Sequence, residues 1–166
     1  MPSKESFPHL EDFMNTIPLS TGFQRILRPH RWDLDTLRKL ERQNIAALGE
    51  SVVAAWAQKT GWTALGQQIR GRGYELDLVI FRGQEFRVIE VKTRLFPRRE
   101  PDFNLMNQWL STAKQAAVTR GVKDLIHRRR IATNGSISVE LFAVDILKDL
   151  QLRVYRWPDV FRMSEA

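Results

Sequence analysis

Tyr74-Glu75-Leu76-Asp77-Leu78-Val79-Ile80-Phe81-Arg82-Gly83-Gln84-Glu85-Phe86-Arg87-Val88-Ile89-Glu90-Val91-Lys92 is the stretch on which the fold turns. Gly83-Gln84 reads as a two-residue hairpin loop, with Gly at the first position as a type II′ turn prefers. Arg82 then faces Glu85, and an antiparallel ladder sets Phe81 against Phe86, Val79 against Val88 and Leu78 against Ile89. Carried further, the count puts Leu76 opposite Val91, Asp77 opposite Glu90 and Glu75 opposite Lys92. Side chains alternate with period two, so Glu75, Asp77, Glu90 and Lys92 are expected on one face.

Two carboxylates across a ladder repel each other, and apolar surroundings raise the cost of ionising both. Either one holds a proton or a cation sits between them. Lys92 offsets part of the charge. A hard divalent ion would offset more, and Mg²⁺ commonly takes only one or two carboxylates together with substrate phosphate oxygens. The plainer reading is a solvent-facing hairpin with a cross-strand Glu75–Lys92 ion pair, since charged residues are mostly exposed. The hairpin alone leaves both readings open.

Upstream, Asp33 or Asp35 is a good N-cap for a long helix whose Leu37, Ile45, Leu48, Val52, Ala55 and Trp56 recur at helical spacing. Between Gln43 and Gln58 its only charged residue is Glu50, with Ala46, Ala47, Val53 and Ala54 three and four positions away. A carboxylate in such a strip either lies on a narrow exposed edge or points into a cleft with a partner. Trp62 to Ile69 reads as a first strand and Gly71-Arg72-Gly73 as the turn into the hairpin. Downstream, Pro97 and Pro101 bracket a basic loop. A second helix is expected from Asp102 or Asn104 to about Arg129. Ile137 to Ile146 reads as a central strand, and Leu152 to Trp157 as an edge strand ended by Pro158.

The 166 residues suffice for one domain with a sizeable core, and 43% apolar residues place it among globular proteins. Residues 1–31 read as an arm punctuated by prolines, and 32–166 as a single domain. No cysteine is present, which removes thiolate metal sites and fits a reducing, cytoplasmic setting. No run is long enough for a membrane span. The net charge is +7, and all of it lies between Arg82 and Arg130, where twelve basic residues face five acidic ones. A basic sector of that kind suits a polyanion, most simply nucleic acid.

In order, the pieces are a helix with one carboxylate, three strands carrying D…E-x-K, a basic helix and a further strand. This resembles the PD-(D/E)XK nuclease fold: an α/β, restriction-endonuclease-like three-layer core. It has a long helix, a mixed sheet of four to five strands with the antiparallel hairpin, and a second basic helix. More specifically the chain resembles the YraN-like family, related to archaeal Holliday junction resolvases. The matching residues are Leu48-Gly49-Glu50, Lys59-Thr60-Gly61-Trp62, Gly73-Tyr74-Glu75-Leu76-Asp77-Leu78-Val79, Ile89-Glu90-Val91-Lys92-Thr93-Arg94, Lys114-Gln115 and Phe142-Ala143-Val144-Asp145. Tyr74 departs from the family, where a second Gly commonly precedes the Glu.

The resemblance implies a metal-dependent endonuclease that hydrolyses phosphodiester bonds in DNA, branched substrates included, and leaves 5′-phosphate ends. The alternative is a nucleic-acid-binding module of the same fold with little or no turnover. Glu50, Asp77, Glu90 and Lys92 are the expected catalytic set, and Glu75, Lys114 and Gln115 are supporting. Asp77, Glu90, the Val91 carbonyl and Glu50 would hold Mg²⁺ or Mn²⁺, which binds a phosphate oxygen and lowers the pKa of a bound water. Lys92 would orient that water or stabilise charge on the phosphate. Arg94, Arg98, Arg99, Arg120, Lys123, Arg128, Arg129 and Arg130 are the expected backbone contacts, with DNA favoured over RNA. Paired cuts across a junction imply a homodimer.

Overall fold

The hairpin forms in the expected register. In a computed structural model, which describes residues 42–132, 134–148, 152–161 and 163, Arg82 pairs with Glu85, Phe81 with Phe86, Val79 with Val88 and Leu78 with Ile89. Gly83 has φ +61 while Gln84 is not left-handed, as a type II′ turn requires. The arm over 1–31 and the caps at Asp33 and Asp35 lie outside the described residues.

The elements are α1 (Arg42–Lys59), β1 (Thr63–Gly71), β2 (Tyr74–Arg82), β3 (Glu85–Leu95), α2 (Phe103–Trp109), α3 (Thr112–His127), β4 (Ser136–Ile146) and β5 (Leu152–Phe161). The five strands lie in the order β1-β2-β3-β4-β5. Only β3 and β4 run parallel, because α2 and α3 cross between them. On one face α1 buries Leu48, Val52, Val53 and Trp56 against Leu78, Ile80, Ile89, Val91, Phe142 and Val144. On the other, α3 buries Val118, Val122 and Leu125 against Leu76, Val79 and Val88. Beside it, Met106 and Leu110 of α2 cover Leu141, Ala143, Tyr155 and Trp157. This is a three-layer α/β core, as the sequence pattern anticipated.

Several boundaries differ from expectation, each for a local reason. β1 begins one residue later and runs on to Gly71. The expected second helix is two, broken at Leu110-Ser111. Ser111 Oγ accepts from Lys114 N and caps α3, and Gln115 Nε2 donates to the Leu110 carbonyl that ends α2. β5 runs through Pro158 to Phe161. An irregularity between its pairings of Trp157 with Leu141 and Phe161 with Val139, marked by Asp159 at φ 47, takes up the proline on an edge strand.

α1 approaches β3 closely enough that only glycine fits at Gly49, where a Cβ would run into Thr93 Oγ1 and lie 3.1 Å from Thr93 Cβ. Gly49→Ala is therefore expected to destabilise by about 1–3 kcal/mol, since inserted carbon must push packed elements apart. Thr93→Ala in the same chain recovers part of the loss in a thermal melt.

Three acids are fully or nearly buried in this core: Glu90, Glu140 and Asp145. Two are answered completely. Glu140 is held by Arg87 Nη1 at 3.0 Å and by Arg156 through Nε at 2.8 Å and Nη2 at 3.0 Å. Arg87 stacks on Trp62 and Arg156 on Trp56, 4.0 Å and 5.3 Å from the ring centroids. Asp145 receives both nitrogens of an Arg94 fork, at 2.7 Å and 2.6 Å. Glu90 is answered differently.

Candidate active site

Beyond Leu78–Ile89 the hairpin opens. The ladder of β2 and β3 stops there, and the Val91 N–H donates to Asp77 Oδ2 at 2.8 Å instead of to a strand carbonyl. The cause lies partly on the neighbouring strand. β1 slips its register between Ala64 and Gly66, and Gln68 is left-handed at φ 47. Leu76 consequently packs with the α3 cluster, while Leu78 packs with the α1 cluster, so strict alternation fails across Asp77. The expected pairings of Asp77 with Glu90, Leu76 with Val91 and Glu75 with Lys92 are corrected accordingly: all three fall outside the ladder. Glu75 is exposed and pairs with Arg70 at 3.0 Å.

Glu90 projects from the middle of β3 towards α3 with no exposed surface. Lys114 Nζ comes within 2.7 Å of its Oε2. The ammonium approaches off the direction a hydrogen bond needs, and neither Glu90 oxygen has a well-directed donor among the described residues. Burial, reinforced by the Asp77 charge and opposed by Lys114 and Lys92, pushes the Glu90 carboxyl up to about 8. Lys114 Nζ also lies 3.3 Å from the Glu75 carbonyl, so one side chain of α3 bridges β2 and β3.

Glu50 reaches the same region from α1. Its Oε2 accepts from Gln68 Nε2 at 3.0 Å. Partial burial raises its pKa against that hydrogen bond, and the charges of Asp77 and Glu75 raise it further. Glu50, Asp77, Glu90, Lys92 and Lys114 thus form a chain of electrostatic neighbours. Among the described residues, however, no three Asp, Glu, His or Cys side chains come close enough together to make a metal cluster. The donor set still suits a hard cation: two buried carboxylate oxygens lack directed donors, and Asp77 is fastened to the amide of Val91, the residue after Glu90.

The other expected residues divide. Gln115 of α3 spends its amide N–H on the Leu110 carbonyl at the end of α2. Arg94, expected on a phosphate, is committed to Asp145 and to the Arg99 carbonyl at 3.0 Å. Arg98, Lys123 and Arg129 are exposed. Arg120 donates to the Gly73 carbonyl, Arg130 to the Leu65 carbonyl, and Arg128 pairs with Asp124 at 3.0 Å; all three remain exposed. Gln68 and the two arginine clamps were not anticipated. An acid inside the apolar run of β4 was the signal for the clamps, because such a charge requires a cation. Among the described residues no helix is long and apolar enough to cross a membrane.

Known proteins bear on this geometry. The profile of the Uncharacterised protein family UPF0102 matches residues 49–153, which include the acidic chain, Lys92 and Lys114. A UPF0102 protein of Bifidobacterium longum (strain NCC 2705) is 28% identical over 64% of this chain and 85% of its own length. One of Bifidobacterium longum subsp. infantis is 31% identical over 56% of this chain and 73% of its own. One of Synechococcus sp. (strain JA-3-3Ab) reaches 42% identity over 34% of this chain and 44% of its own.

Proposed function

Because the chain belongs to the Uncharacterised protein family UPF0102, the YraN family with its PD-(D/E)XK-like core, we propose that it is a metal-dependent endonuclease acting on DNA, including branched DNA. The observation that carries the reading is Glu90. The other two buried acids are neutralised by arginine forks, whereas this one is pushed up to about 8 by burial and the Asp77 charge, with Lys114 and Lys92 offsetting it in part. A buried group so poorly settled is costly for the fold and is retained where it serves a ligand or reaction.

Glu90, Asp77 and the Val91 carbonyl would hold Mg²⁺ or Mn²⁺, with Glu50 completing or supporting the set. When bound, that ion supplies Lewis-acid polarisation of phosphate and a more acidic water. The chain's own residues do the rest. Asp77 ties the opened hairpin to Val91, fixing the two carboxylates relative to each other. Lys92, two residues beyond Glu90 and partly exposed, meets negative charge developing on the phosphate. Lys114 balances Glu90 and stands next to the incoming phosphate. Arg98, Arg99, Arg120, Lys123, Arg128, Arg129 and Arg130 supply the sequence-independent grip on the backbone.

The test is to incubate purified protein with linear and four-way-junction DNA in Mg²⁺, in Mn²⁺ and in chelator, beside Asp77→Asn and Lys92→Ala. Ion-dependent strand scission is expected, falling by about 10²–10³-fold in either variant. Cleavage unchanged in both variants would sink the assignment. The binding-module reading has one observation in its favour, the lack of a three-acid cluster among the described residues. Salt-sensitive DNA binding without scission in any ion would select it.

A further inference from the structure

The loop from Phe96 to Asp102 leaves the end of β3 and is pinned along its length. Phe96 N donates to the Ile146 carbonyl at 2.8 Å, and Arg94 Nη2 holds the Arg99 carbonyl. Pro101 is buried, and Asp102 Oδ1 accepts from Leu105 N at 2.8 Å to cap α2. Such anchoring leaves little backbone entropy to lose when something binds.

What this fixed base carries outward is an aromatic ring and two arginines, with Glu100 and Asp102 between them. Arg98 is exposed, and the Arg99 side chain is 75% exposed with only a loose 3.9 Å approach to Asp102. Phe103 follows at 69% exposure, the one large apolar side chain among the described residues standing so far into solvent. Its helix continues into Met106 and Leu110, which rest on Leu141 and Ala143. Those two residues pair in the sheet with Glu90 and Lys92. The helix that Phe103 begins therefore packs on the strand next to the one that carries Glu90 and Lys92.

We infer that Phe103, a few positions after the exposed Arg98 and Arg99, is a stacking platform for an unpaired base of the nucleic acid held at this site. The inference rests on the nuclease reading and adds what part of the substrate is read. A phosphate backbone alone needs cations and gives an aromatic ring no work. A protein partner needs a broader apolar patch than one exposed ring. An exposed π-face on a segment that also carries two exposed guanidinium groups suits a base and its neighbouring phosphates. Bases inside a continuous duplex are already stacked and out of reach, so the ring selects for flaps, gaps or junction centres.

Fluorescence anisotropy in chelator, which separates binding from scission, tests this at ~50 mM salt. The probes are a labelled duplex, the same duplex with a short single-stranded gap, and a strand with 2-aminopurine in the gap. Wild type is expected to prefer the gapped probe and to change 2-aminopurine emission. Phe103→Ala should lose about tenfold on the gapped probe and keep its affinity for the duplex, while Phe103→Tyr retains both. Because the ring is exposed, an unchanged melting temperature in Phe103→Ala checks folding. Equal affinities of wild type and Phe103→Ala for the gapped probe would overturn the inference while leaving the nuclease reading intact. So would a self-association, seen by sedimentation, that Phe103→Ala abolishes. If no probe binds even wild type, the nuclease reading falls with it.

Discussion

Replacing Glu90 with glutamine is expected to stabilise the ion-free protein at alkaline pH while lowering ion-dependent scission by about 10³-fold. The two effects share one cause. In the unfolded chain this carboxyl ionises near 4.5, and in the folded chain it holds its proton up to about 8, because burial and the Asp77 charge outweigh Lys114 and Lys92. Below the unfolded value both states are protonated, and the protonated group's contribution to stability is complete. As pH rises from about 5 to 8 only the folded state keeps the proton, so stability falls by about 1.4 kcal/mol per pH unit at most. Glutamine cannot ionise and removes that slope. Melting curves from pH 5 to pH 8.5 in chelator should therefore diverge, with Glu90→Gln melting higher at the alkaline end. Added Mg²⁺ should raise the melting temperature of wild type at pH 8 and leave the variant unmoved, as mass action requires of a ligand that needs the carboxylate. Parallel curves for the two proteins would show that Glu90 does not carry the buried charge assigned to it.

The largest expected loss of stability comes from Glu140→Ala, about 3–5 kcal/mol. The carboxylate is 2% exposed and is shared by Arg87 and Arg156, whose guanidinium groups are themselves largely buried and stacked on Trp62 and Trp56. Removing it leaves two desolvated cations against a tryptophan-lined surface without their common counter-charge. Urea denaturation read by tryptophan fluorescence measures the shift. Glu75→Ala serves as the comparison, since the Arg70–Glu75 pair is solvent-exposed and worth no more than about 1 kcal/mol. If both variants unfold at the same urea concentration, the buried clamp adds nothing to the fold.

How far the chain could be read beforehand depended on whether a feature was local. Phe81, Val79 and Leu78 found Phe86, Val88 and Ile89 because a two-residue loop and apolar pairs determine register between adjacent strands. Glu50 stood out as the one charge in an apolar helix strip, and it does lie within electrostatic reach of Asp77. The opening of the hairpin at Asp77 was not legible, since it accompanies a register slip and a left-handed Gln68 on a different strand. Arg94 was read as a phosphate contact because its partner, Asp145, lies 51 positions away and only the parallel pairing of β3 with β4 brings them together. The second role of Gln115 was not legible for a smaller reason: Ser111 starts a new helix, which turns that amide back onto Leu110.

The acceptor that Asp77 offers to the Val91 amide makes it a fastener of the sheet, and in the proposed nuclease the same side chain would also be a reagent. An alanine there would unstitch the sheet as well as disarm the chemistry, so inactivity in that variant would be ambiguous, whereas asparagine keeps the stitch. The same duality bears on ancestry. A lineage that gave up cutting DNA would still need an oxygen at this position to keep its strands joined, and the aspartate by itself is no certificate of turnover.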